Sequence, residues 1–219
     1  MFTTEATREG RFITFEGTDG SGKTTQMRLL AERLRNAGFT VAETQEPGGT
    51  EIGRRIRGIL LDPASHRICP IAEMLLYFAA RAQNFDELIL PEWKGGAIVL
   101  SDRFTDSTLA YQGDGRGLGP DVVVQLHDIA CHGIQPDLTI YVDIDLETGL
   151  ERARTTSGDR LDNEAAEFHQ RVRESYLKLA VEHAHRFRTI DGRGTISEVS
   201  ERVWDAVVPA LPHAAVIPR

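Results

Sequence analysis

Residues 17 to 24 read Gly17-Thr18-Asp19-Gly20-Ser21-Gly22-Lys23-Thr24 and fill every fixed position of the pattern G-x-x-x-x-G-K-[ST]. The octet follows an apolar run, Phe12-Ile13-Thr14-Phe15, and opens into residues 25–34, whose apolar positions recur at helical spacing. Strand, glycine loop and helix in that order build an anion cradle. The glycines let backbone N–H groups approach phosphate oxygens, and the helix turns its positive end toward them. A lysine at position 23 reaches the β and γ oxygens, and the Thr24 hydroxyl is of the type that ligates a magnesium ion bridging them. The octet therefore predicts a nucleoside triphosphate site.

Along the rest of the chain, apolar strand-like runs alternate with helical patterns, the signature of a parallel sheet wrapped by helices. The runs at 12–15, 40–44, 97–101, 138–143 and 186–190 read as strands. Helices are expected over 23–37, 50–61, 71–90, 105–111, 120–131, 146–153, 163–185 and 195–210, with loops at 47–49, 113–117 and 155–158. The expected fold is a three-layer α/β P-loop domain spanning 11–210. It comprises a five-stranded parallel sheet and a small mobile lid near 152–162, flanked by a leader (1–10) and a tail (211–219).

Composition narrows the function class. The net charge of −8 over 219 residues argues against nucleic acid or an anionic membrane as the main partner, so any phosphate site must be locally basic. Cys69 and Cys131 form no C-x-x-C and read as reduced thiols, the N-terminal ten residues lack a signal-peptide core, and no run reaches membrane-spanning length. A cytoplasmic enzyme is expected. The seven histidines show no metal-ligand spacing.

In open parallel sheets the ligand crevice lies beyond the C-terminal strand ends, and several polar motifs fall there. Ser101-Asp102-Arg103 ends an apolar run; the acid suits magnesium or its water, and the arginine suits bidentate phosphate binding. Glu46-Pro47-Gly48-Gly49-Thr50 reads either as a turn with Thr50 capping the next helix or as a ligand-binding segment. Tyr77, Phe78 and Arg81 sit in an apolar helix, where an aromatic and an arginine one turn later serve equally as base readers or as core. Arg152, Arg154 and Arg160 form a basic cluster suited to a closing lid.

Taken in order, the motif from Phe15 to Gln26, Glu46-Pro47-Gly48-Gly49-Thr50, Ala79-Ala80-Arg81-Ala82-Gln83, Asp102-Arg103-Phe104 and Ala110-Tyr111-Gln112-Gly113 resemble the successive motifs of bacterial thymidylate kinases. The resemblance runs from about Gly10 to the last helix. It implies phosphorylation of dTMP to dTDP by ATP with magnesium, on the way to dTTP, by a homodimer packed through helices that include 50–61 and 71–90. It also implies residue roles. Gly17 to Thr24 hold the ATP phosphates, and Asp19 also contacts the deoxyribose 3′-hydroxyl. Arg103 binds the dTMP phosphate, while Asp102 assists magnesium with Thr24. Arg81 hydrogen-bonds thymine, with Tyr77 or Phe78 stacking on it. Thr108 and Gln112 read the base or sugar edge, Tyr111 crowds the sugar 2′ position, and Glu46 belongs to the dTMP set. The P-loop has no arginine among Thr18, Asp19, Gly20 and Ser21, which places the chain with the class whose catalytic arginine comes from the lid. Arg154 or Arg160 is then the transition-state cation, Arg154 being nearer the usual spacing.

Rival readings make distinct demands. A P-loop kinase for another nucleoside monophosphate or a deoxynucleoside lacks the Glu46 to Thr50 and Ala110 to Gly113 set, and a regulatory GTPase requires an N-K-x-D motif, which this sequence does not contain.

Overall fold

Five short runs form one sheet: β1 (Arg11–Glu16), β2 (Val41–Gln45), β3 (Ile98–Asp102), β4 (Leu138–Asp143) and β5 (Phe187–Asp191). All pairings are parallel and the order is β2-β3-β1-β4-β5. The structure, a computed structural model, describes residues 10–156, 160–161 and 164–212. Apart from Gly10, Leu211 and Pro212, the expected leader and tail lie outside the described residues, as do 157–159 and 162–163 of the expected lid.

Parallel strands need crossovers, and the helices supply them. The central strands β1, β3 and β4 are buried almost throughout, whereas the edge strands β2 and β5 carry exposed positions. Alternation along β1 divides its side chains between two faces. Ile13 and Phe15 pack with Met27, Leu30, Ala31 and Leu34 of α1 (Lys23–Asn36) and with Val199, Val203 and Val207 of α9 (Ile196–Val207). Phe12 and Val99 face the opposite way, against Met74 and Phe78 of α3 (Pro70–Asn84) and Val123 and Cys131 of α6 (Pro120–Cys131). These are the three expected layers. Ile13, Phe15 and Leu34 are fully buried, each contributing about 1.5–3 kcal/mol of transfer free energy.

The register brings the site together. Asp102 lies opposite Phe15 of β1 and Gln45 of β2, so three strands end at one level. The ladder continues one step further: Arg103 N–H donates to Phe15 O and Glu46 N–H donates to Asp102 O, each at 2.9 Å. The loops carrying Gly17, Glu46 and Arg103 therefore leave the sheet side by side.

The remaining α-helices among the described residues are α2 (Glu51–Leu61), α4 (Leu90–Lys94), α5 (Thr105–Thr108), α7 (Leu146–Thr156) and α8 (Ala166–Glu182). Thr50 does cap α2, accepting from Gly53 N–H at 3.0 Å. The expected helix 71–90 is interrupted: α3 ends at Asn84 and a π-helical turn, Phe85–Ile89, precedes α4. The extra residue in that turn buries both Phe85 and Ile89. A second π turn, Leu109–Gly115, replaces both the end of the expected 105–111 helix and the start of the loop expected at 113–117. Close packing fixes Gly115 there, since a Cβ at that position would lie 2.8 Å from Phe168 Cε2.

Candidate active site

The loop after β1 is built on left-handed backbone. Gly17, Gly20 and Gly22 have φ of 146°, 75° and 90°, and a Cβ on Gly17 would lie 2.6 Å from the Val142 carbonyl oxygen. Gly22 is the N-cap of α1, so the loop delivers its N–H groups to the positive end of that helix. Residues 20–26 line a cavity whose far wall includes Arg152, Gly192 and Gly194. Lys23 is buried in this wall. Burial and the nearby Arg103 guanidinium lower its pKa, against the opposing pull of Asp19 and Asp102. The Thr24 hydroxyl donates to the Asp102 carboxylate, bringing two hard oxygen donors together beside the loop.

Arg103 leaves β3 with φ of 74° and turns its guanidinium back toward the loop. Nη2 donates to Asp19 Oδ1 at 2.6 Å, while Nη1 donates to Gly17 O and Ser107 Oγ, each at 3.0 Å. Tyr111 donates its hydroxyl to Asp19 Oδ2 at 2.8 Å, and Lys23 Nζ lies 3.7 Å from Asp19 Oδ1. Burial alone would raise the Asp19 carboxyl, but the Arg103 and Lys23 charges hold it well below the usual carboxylate range. Beneath Arg103, Glu16 accepts from Phe104 N–H, Ser107 Oγ and Tyr176 OH. Its burial, together with Asp106, pushes its pKa up to about 8.

Asp19 and Arg103 also line a second cleft, with Glu46, Tyr77, Arg81, Thr108, Gln112 and Leu161 in its wall. Arg81 and Glu46 form a buried ion pair (Nε to Oε2, 2.5 Å), and Asn84 Nδ2 donates to the other carboxylate oxygen at 3.1 Å. Arg81 Nη2 donates to Phe104 O, but Nη1 has no partner among the described residues, nor does Thr108 Oγ1. Both residues are 1% exposed. Two buried, unpartnered polar atoms on residues of one cleft wall leave hydrogen bonds that a ligand or a water can complete.

The structure thus assembles most of the expected residues around two clefts: Gly20, Ser21, Gly22, Lys23 and Thr24 line one, and Asp19, Glu46, Tyr77, Arg81, Arg103, Thr108, Tyr111 and Gln112 line the other, with Lys23 of the first 3.7 Å from Asp19 of the second. Two expectations change. Phe78 does not line the cleft; it lies in the core with its ring under the Arg81 guanidinium at 4.8 Å, and it is Tyr77 that faces the cleft. Arg160 is not brought to the phosphate cavity. It is buried against α2 and α3, donating to Leu60 O and to the Glu73 carboxylate, because a buried guanidinium requires a counter-charge. The Arg154 side chain lies outside the described residues. Arg152, at the start of the expected lid near 152–162, does line the cavity beside Lys23.

Sequence reasoning passed over Arg57, Glu16 and Glu73. Arg57 lines the second cleft and donates to Pro47 O at 2.8 Å. The two acids had a visible signal: Glu16 ends an apolar strand and Glu73 begins an apolar helix, where an ionisable residue is buried only with partners.

A thymidylate kinase family model matches residues 15–203. The thymidylate kinase of Pelobacter propionicus is 52% identical over 201 residues, covering 89% of this chain and 92% of that protein. That of Pelotomaculum thermopropionicum is 51% identical over 215 residues, covering 94% and 100%. The crystal structure of thymidylate kinase from Ehrlichia chaffeensis superposes with a TM-score of 0.76 at 33% identity, covering 90% of this chain and 98% of that one.

Proposed function

This chain belongs to the thymidylate kinase family and phosphorylates dTMP, and from that premise we propose how its two clefts divide the substrates. ATP places its phosphates on residues 17–24, with Lys23 on the β and γ oxygens. The acceptor occupies the cleft on the far side of Asp19, its phosphate on Arg103, its sugar against Asp19 and Tyr111, and its base between Tyr77 and the Arg81, Thr108 and Gln112 edge. The observation that carries this reading is the Asp19 carboxylate, which lines the acceptor cleft, is held by Arg103 at 2.6 Å and lies 3.7 Å from Nζ of Lys23 in the wall of the phosphate cavity.

The chemistry asks little of covalent catalysis. An acceptor phosphate oxygen is already anionic, so alignment and charge neutralisation suffice and no general base is needed. The hydroxyl of Thr24 and the carboxylate of Asp102 fit magnesium, a hard cation held by one or two protein oxygens plus substrate phosphates. Bound there, the metal would neutralise charge on the transferring group. The lid supplies the last cation; Arg152 lines the cavity and Arg154 follows two residues later in α7, and these two are the proposed source.

The fold from 11 to 210 functions as a single domain. A homodimer is supported by apolar side chains left exposed on adjacent helices, Ile52 and Ile59 on α2 and Ile71 and Leu75 on α3, each 48–50% exposed. Seven- and four-residue spacing puts each pair on one helical stripe. No described helix is long and apolar enough to cross a membrane, and the acidic chain with its two free cysteines suits the cytoplasm.

A coupled assay of ADP formation with dTMP, dUMP, dCMP, dAMP and dGMP, with and without EDTA, tests the proposal. Magnesium-dependent turnover with dTMP foremost is expected. Turnover unaffected by chelation, or a purine monophosphate as the best acceptor, contradicts it.

A further inference from the structure

Glu73 lies 1% exposed near the start of α3, behind the wall of the acceptor cleft. Gln112 Nε2 donates to its Oε1 at 2.8 Å, Arg116 donates through Nε and Nη2 at 3.2 Å to each oxygen, and Arg160 Nη2 donates to Oε2 at 2.5 Å. Arg116 is held in turn by Glu164 at 2.7 Å. Burial works to raise the Glu73 carboxyl, yet the hydrogen bonds from Arg116, Gln112 and Arg160 hold it below its ordinary range, so it is ionised at neutral pH.

An ionised carboxylate accepts and never donates. A glutamine amide beside it must turn its NH2 inward, which leaves the carbonyl oxygen as the atom Gln112 offers to the cleft it lines. The same cleft holds the unpartnered donor Arg81 Nη1. A donor and an acceptor supplied by residues of one cleft wall match a pyrimidine edge with a ring N–H next to a carbonyl, as in thymine and uracil. Cytosine offers the reverse, a ring lone pair next to an amino group. The Thr108 hydroxyl rotates to donate or accept and enforces neither.

We propose that Glu73 is a positioning residue for base specificity: its carboxylate, clamped by Arg116 and Arg160, fixes the Gln112 amide so that the site accepts a hydrogen bond from the base and rejects cytosine. The proposal rests on the acceptor-cleft reading above and adds a selective function to Glu73, which lies outside that cleft's wall.

The test compares dUMP and dCMP as competitive inhibitors against dTMP, since both lack the 5-methyl group and differ only along the edge in question. Wild type is expected to favour dUMP. Glu73→Gln keeps the shape but offers Gln112 either a donor or an acceptor, so the amide is free to turn and the dUMP:dCMP ratio of inhibition constants should narrow about tenfold or more. Glu73→Asp, still a carboxylate, should restore the preference even if both ligands bind more weakly. Thermal midpoints and the KM for ATP report on folding, which a purely structural role would disturb without moving the ratio. If Glu73→Gln is not recovered folded, Glu73→Gln/Arg160→Gln removes the stranded arginine charge and gives the same readout. An unchanged ratio, or no detectable dCMP inhibition in the variant, overturns the proposal. A wild type inhibited equally by dUMP and dCMP contradicts the cleft reading itself.

Discussion

Arg103 donates through Nη2 to the Asp19 carboxylate at 2.6 Å, tying the residue after β3 to the loop after β1. The same guanidinium reaches Gly17 O, Ser107 Oγ and Tyr111 OH. The proposed acceptor phosphate would therefore meet at Arg103 a group already aimed, and little orientational freedom would be lost on binding.

Removing either cation should stop catalysis while leaving the fold intact. Lys23→Ala and Arg103→Ala are each expected to lower kcat by on the order of 10³, with far-UV circular dichroism unchanged. Near-normal initial rates in either purified variant would remove that residue from the mechanism.

Arg81 and Glu46 are both 2% exposed at the side chain, so breaking the pair strands a buried charge. Arg81→Ala should cost about 3–5 kcal/mol in urea unfolding and raise the KM for dTMP at least tenfold. A loss below about 1 kcal/mol would mean that water reaches Glu46.

Glu16 sets a pH signature. Its pKa is pushed from the ordinary 4.5 to about 8 by burial and Asp106, so the native state holds a proton that the unfolded chain releases. Its contribution to stability is full below pH 4.5 and is lost as pH rises toward 8, with a limiting slope of about 1.4 kcal/mol per pH unit. Urea unfolding at pH 5.5, 6.5 and 7.5 should show wild type losing stability relative to Glu16→Gln. Parallel curves would place the Glu16 pKa below this window.

The parts of this site that were legible in the sequence are those carried by contiguous residues. The P-loop octet and Asp102-Arg103 each declare themselves locally, the segment from Glu46 to Thr50 reads equally as a capping turn or a ligand-binding segment, and the five strands fall within a residue or two of their expected bounds. Interrupted helices were not legible, because 71–90 has a continuous helical pattern and the π turn at 85–89 follows from how Phe85 and Ile89 reach the core. Ion-pair partners were equally hidden. Arg160 reads as a lid cation by spacing, and only the folded chain shows that Glu73, 87 residues away, claims it. Tyr77 and Phe78 differ by one helical step, and a rotation of about 100° per residue decides which ring meets the cleft.

The lid arginines separate by rate. At saturating substrates, Arg152→Ala and Arg154→Ala should show a kcat deficit of at least tenfold in one or both, with the KM for dTMP little changed. Full kcat in both variants would move the transition-state cation elsewhere.

The division of substrates between the two clefts is tested most directly by crystallography of the enzyme with dTMP and a non-hydrolysable ATP analogue. The account predicts the dTMP phosphate on Arg103, its thymine edge at Arg81 and Gln112 beside Tyr77, and the analogue's phosphates on residues 17–24. Density for dTMP in the P-loop cavity, or for thymine away from Arg81, would contradict it.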